Sequence, residues 1–164
     1  MIADIGNEVV YMSIEANIKH ICELKDKAAE RSGRKGEDVL LVAVTKLHST
    51  DEINEAIDCG ITDIGENKVQ EIMDKYDRVK PVRWHLIGHL QTNKVKYIID
   101  KVCMIHSVDS LHLAREIDKR AAQHGVSMDI LIQVNSAMEE SKFGITTGAV
   151  SYTHLRAHET EADL

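Results

Sequence analysis

Lys46 sets the first chemical question. Five apolar residues, Leu40 to Val44, lead through Thr45 to a primary amine, and polar and capping residues follow in LLVAVTKLHST. A lysine enclosed in a parallel sheet must shed its charge or find a partner. Desolvation lowers the pKa of such an amine, and the neutral form is a nucleophile that can form a Schiff base with an aldehyde. The other reading is a lysine that stretches to solvent at a strand end. Spacing alone leaves both open.

Polar groups recur where other apolar segments end. Gly65 closes ITDIG, and Glu66 and Asn67 follow it. His85 lies in RWHLIG, with Gly88, His89, Gln91 and Asn93 in or just after it. His106 and Ser107 lie at the end of VCMIHSV, and Asp109 follows it. Gln133 and Asn135 close MDILIQVN, and Glu139, Glu140, Ser141 and Lys142 come next. Parallel α/β folds bind ligands at the carboxyl ends of their strands, so the pattern is that of a small-ligand site with a candidate reactive amine. Plainer roles are open too. Asn67 serves equally as a helix N-cap, Gly65 as a turn residue, and His85 and His106 as hydrogen-bonded histidines at a core edge. An unrelated barrel enzyme, with Lys46 holding a sugar or keto acid, fits the same residues.

The elements that must position these groups follow from periodicity. Ile14, Ile18, Ile21, Leu24 and Ala28 predict an amphipathic helix over 8–31. VLLVAV, 39–44, reads as a strand apolar on both faces. Ser49 and Glu52 form a capping box for a helix with Ile53, Ala56 and Ile57 inward and Gly60 at its end. ITDIG predicts a second strand. NKVQEIMDKYDRV predicts a helix with Val69, Ile72, Met73 and Tyr76 inward. RWHLIG is a third strand, QTNKVKYIIDK a short helix and VCMIHSV a fourth strand. A helix over 109–125 follows, capped by Asp109 or Ser110 with Gly125 past its end, and MDILIQVN is a fifth strand. Strands alternating with helices predict a parallel sheet with right-handed crossovers. Five strands fit an open doubly wound sheet or part of a (β/α)8 barrel, and no glycine-rich dinucleotide or P-loop motif occurs.

Composition narrows the class. The 164 residues suit one domain, 43% are apolar, and the net charge of −7 has no basic stripe beside it, which argues against nucleic acid or an anionic membrane as partner. Cys22, Cys59 and Cys103 are odd in number and form no CxxC pair, so with their apolar neighbours they read as buried, reduced thiols of a cytoplasmic protein. Neither a signal peptide nor a run long enough to span a bilayer is present. After Gly144 the periodicity stops. VSYTHLRAHET, 150–160, resembles the translated read-through of a transposase sequencing adapter. Residues 1–148 are therefore expected to be a partial barrel domain, and 149–164 a non-native tail. His154 and His158, four apart, are discounted as a metal pair for that reason.

Five stretches in order carry a family likeness: VAVTK at 42–46, IGENKVQE at 64–71, WHLIGHLQTNK at 84–94, HSVDS at 106–110 and LIQVNSAMEESKFG at 131–144. Together they resemble the YggS-type pyridoxal-phosphate homeostasis proteins, whose fold is like the N-terminal barrel of alanine racemase. The resemblance implies an α/β fold, the N-terminal part of a (β/α)8 TIM-like barrel with about five βα units after an N-terminal helix. It implies pyridoxal 5′-phosphate (PLP) as cofactor and Lys46 as its Schiff-base lysine. Asn67 and His85 would lie close to the cofactor, and Asn135, Ser141 and Lys142 near its open side. His89 stands where family members often carry another residue. The implied role is to hold and deliver PLP in vitamin B6 homeostasis without turnover, as a full-length monomer whose partners are PLP-dependent apoenzymes. A PLP-dependent racemase or decarboxylase on the same fold is the alternative. The family's phosphate loops belong to later strands than those present here. Two uncovered strand edges and half a core are then expected, and with them an unstable or partly folded chain.

Overall fold

The protein is described by a computed structural model covering residues 2–5, 8–11, 13–136 and 143–145, with side chains from residue 13 onward. The segment 149–164 lies outside the described residues. The chain forms two compact units, residues 1–65 with 74–83, and residues 66–73 with 84–164.

In the first unit, β1 (Ile2–Ile5) pairs antiparallel with β2 (Glu8–Tyr11), in register Ile2↔Tyr11 to Ile5↔Glu8. This corrects the helix expected over 8–31. Val9 and Val10 are β-branched and favour extended backbone, and α1 (Ile14–Arg31) begins only where the Ser13 hydroxyl accepts from Ala16 N. Ala29 is buried in α1, whereas Ile21, Leu24 and Ala28 of the expected inner face are exposed.

The first parallel strand, β3, is only Ala43–Val44. It pairs with β4 (Asp63–Glu66) through Ala43↔Ile64 and Val44↔Gly65. The expected 39–44 strand is shorter because regular pairing needs a partner and β4 has only four residues. Between them runs α2 (Thr50–Asp58), started by the full Ser49–Glu52 capping box. Ile53, Ile61 and Ile64 pack the interior. Asp63, fully buried, receives the Arg83 guanidinium at 2.8 and 3.0 Å. The Asn54 amide holds the 78–80 segment, donating to Arg78 O and accepting from Lys80 N.

The helix expected over 67–79 is α3 (Val69–Lys75), followed by a 3-10 turn at Tyr76–Arg78. Its inner face differs from expectation. Ile72 is buried, Met73 is exposed, and Lys75 takes an inward place three residues after Ile72.

The second unit is built on three parallel strands in chain order, β5 (Arg83–Leu86), β6 (Met104–Val108) and β7 (Asp129–Ile132). His85 pairs with Met104 and Ile105 with Ile130, and the β6–β7 register shifts between Ile105 and Val108. The connection after β5 is a 3-10 segment, Thr92–Tyr97, that buries Val95. α4 (Leu111–His124) is capped by Ser110 and stopped by Gly125 in the left-handed region. Leu113, Ile117 and Ala121 point inward against a core that includes Leu86, Leu90, Ile98, Ile99 and Ile105. All four β7 residues are exposed.

Candidate functional site

Lys46 stands two residues past the end of β3 and is exposed, not enclosed in the sheet. Its turn is held from both ends. Thr45, 5% exposed, donates its N–H to Gly65 O at 3.0 Å. The Thr45 carbonyl accepts His48 N–H at 3.1 Å and the Lys75 ammonium at 3.0 Å. Between them Leu47 lies at φ 67 with 89% of its surface exposed, a backbone region that a leucine rarely adopts. Just beyond, Ser49 N–H and hydroxyl both donate to the Glu52 carboxylate at 2.8 Å. Those bonds, the backbone one foremost, and the neighbouring His48 hold the Glu52 carboxyl below its ordinary pKa.

A cavity of about 330 Å³ lies between α1, β3 and α2, with Ile14, Ile18 and Ile53 on its wall and His48 and Glu52 among its polar lining. Lys46 does not line it.

Asn67, His85 and Asn135 belong to the second unit, each with its own partners. Asn67 is half-buried, and its backbone lies hard against Gly88. A Cβ on Gly88 would sit 2.8 Å from Asn67 Cα and closer still to its carbonyl oxygen. Only glycine permits that approach. The Gly88 carbonyl accepts the Ser107 hydroxyl, and His89 Nδ1 lies 3.0 Å from Asp109 Oδ2. The His89 ring stacks on Phe143, with centroids 3.9 Å and planes 15° apart. The loops after β5 and β6 and the residue Phe143 beyond β7 are thereby tied together.

His85 is 2% exposed, with Nδ1 2.9 Å from His106 Nε2 and Nε2 3.3 Å from Cys103 Sγ. Partial burial, then the neighbouring His85, pushes the His106 imidazole below its ordinary pKa. Asn135 N–H donates to Ile145 O at 3.0 Å, and Ile145 N–H to Gln133 O at 2.8 Å. These bonds pair the Gln133–Asn135 backbone with Ile145. Ser141 and Lys142 lie outside the described residues.

Two participants escaped the sequence reading. Lys75 had a usable signal, because it stands three residues after Ile72 on the same helical face. Cys103 had none, since its partner His85 is 18 positions away and no short motif joins them.

The alanine racemase N-terminal domain family matches residues 14–162. The chain belongs to the alanine racemase N-terminal domain family. Within that family it is 43% identical over 130 residues to the pyridoxal phosphate homeostasis protein of Aquifex aeolicus, a match covering 78% of this chain and 57% of that protein. It is 44% identical over 125 residues to the protein of the same name from Helicobacter pylori, covering 74% and 56%. Among solved structures, PipY of Synechococcus elongatus with PLP bound superposes with TM-score 0.61 at 33% identity, covering 76% of this chain and 57% of PipY. A protein from Bifidobacterium adolescentis gives TM-score 0.73 at 34% identity, covering 85% and 63%. The YggS-type resemblance and the α/β architecture expected from the motifs both hold. The chain spans a little over half the length of the curated relatives it matches. Among the described residues, no helix is long and apolar enough to cross a membrane.

Proposed function

We propose that this chain carries the aldehyde-capturing part of a PLP-binding protein of vitamin B6 homeostasis, with Lys46 as the capturing amine. The observation that carries the reading is the Lys46 turn: an exposed amine on a backbone held by the Thr45 carbonyl through two donors. The relatives' names and the cofactor in the PipY structure support it. Bound PLP supplies an aldehyde that couples reversibly to primary amines, and an electron-withdrawing ring. The chain's own residues supply the amine at Lys46 and the held turn that carries it. Asn67, His85 and Asn135, with Ser141 and Lys142, are assigned to the cofactor's surroundings by the family likeness. The chemistry at Lys46 fits an aldehyde ligand, because its amine is accessible. The protein holds the cofactor without turning over a substrate, as a cytoplasmic monomer that yields PLP to apoenzymes. The barrel domain in this reading is residues 1–148.

The test is absorbance near the visible edge as PLP is added to the chain and to Lys46→Ala. A band in the parent that is lost or much weakened in the variant supports the reading. No band, or equal bands in both, removes Lys46 from the role. Racemisation or decarboxylation of an amino acid by the PLP-loaded parent would overturn the non-catalytic half.

A further inference from the structure

Lys46 and Leu47 are the two central residues of a four-residue turn, which closes where His48 N–H donates to the Thr45 carbonyl at 3.1 Å. The chain enters the turn from the β3–β4 pairing, with Thr45 N–H on Gly65 O, and leaves it into the Ser49–Glu52 capping box. Both ends are held, so the weak part is the middle. Leu47 stands at φ 67 in the second central place, which turns of this kind usually give to glycine or asparagine. A leucine there favours the open form, and with its side chain in solvent it recovers little by burial. On the closed side stands a second donor to the Thr45 carbonyl, the Lys75 ammonium at 3.0 Å. Lys75 ends α3, is 9% exposed, and makes a charge-assisted bond. Opening the turn by rotating the Thr45–Lys46 peptide would break both bonds to that carbonyl at once.

We infer that Lys75 is a positioning residue for Lys46: through the Thr45 carbonyl, its ammonium keeps closed a turn that Leu47 strains open. The inference rests on the reading of Lys46 as the amine that captures PLP, and it adds that capture proceeds from the closed turn. Thr45 and Lys75 each have other interactions too, so removing Lys75 alone does not isolate this bond. Leu47 isolates it, because it acts on the same closing equilibrium from the opposite side. Relief of strain at Leu47 should therefore compensate for loss of Lys75, and it would compensate for nothing that Lys75 does elsewhere.

Four chains test it: the parent, Lys75→Met, Leu47→Gly and the double variant. Each is followed by hydrogen exchange at the His48 amide and by the rate at which the absorbance band appears on adding PLP. Lys75→Met should lower His48 protection about tenfold, the order expected for a hydrogen bond to a charged group, and slow PLP capture several-fold. Leu47→Gly alone should raise His48 protection and leave capture within about twofold of the parent, because the closed turn is already the populated form. The double variant should recover most of both losses. The Cys59 amide, bonded to Glu55 O, should keep its parent protection throughout and reports an intact fold. Parent values for both readouts in Lys75→Met overturn the inference. A loss that Leu47→Gly fails to recover overturns it too, by moving the effect of Lys75 to its other contacts. The expected His48 pattern with equal capture in all four chains overturns the positioning role. The same pattern with no PLP band in any chain sinks the PLP reading and leaves Lys75 as the support of the turn. Should Lys75→Met not fold, Lys75→Gln, shorter and uncharged but still polar, replaces it in the same comparison with the same outcomes expected.

Discussion

Leu47 holds an uncommon backbone conformation with its side chain almost wholly in solvent. At φ 67 an L-residue costs about 1 kcal/mol or more, and an 89% exposed leucine recovers little of that by burial. Leu47→Gly should therefore raise stability by about 0.5 kcal/mol, after allowing for glycine's greater freedom in the unfolded chain. Leu47→Ala should bring no gain. The check is the urea midpoint at unchanged slope. The conformation lies next to Lys46, and local strain of this kind gathers at working sites. At this scale the sequence placed Lys46 just past a strand end but did not show its exposure, because a lysine there can turn either way. The Thr45 carbonyl's second donor, Lys75, comes from 30 positions away, beyond the reach of any local pattern.

Elements with local signals were legible. The Ser49–Glu52 capping box, the Ser110 cap and the Gly125 stop all stand where residue types within four positions demanded them. Elements defined by partners were less so: β3 shrinks to two residues, and residues 8–11 turn into a strand paired with 2–5. The junction of Asn67 with Gly88 also depends on distant backbone. There a side chain has no room, and the obstruction is main chain that cannot swing aside. Gly88→Ala should cost about 2 kcal/mol, within the usual range for overpacking, and should weaken PLP binding more than a surface glycine change of equal stability cost. Thermal melting beside a PLP titration separates the two effects. The Ser107–Gly88 bond would move with the shifted loop.

For the molecule as a whole, acid sensitivity is set by groups with opposite charge logic. The His106 pKa lies below its unfolded value of about 6.5, so its contribution to stability is present above that pH and is lost as the pH falls toward the folded value. The depressed carboxyls of Glu52, Asp100 and Glu116 contribute above their unfolded values, near pH 4, and lose that contribution below them. Between pH 7.5 and 5.5 the parent should lose more stability than His106→Gln, measured by urea midpoints at both values. The same scale explains why the sequence foretold parallel strands but not the cover of each face. Ile130, Leu131 and Ile132 of β7 satisfy a core pattern and are nonetheless exposed.

The two units also exchange chain three times, after residues 65, 73 and 83. A split-protein reporter made from this sequence thus has no neutral cut among those crossings. Division after 65 or 73 takes Lys75 away from the Thr45 carbonyl it supports. Division after 83 separates Asn67 from the glycine that makes room for it. Fragments made there would have to find each other before either could complete its own interior.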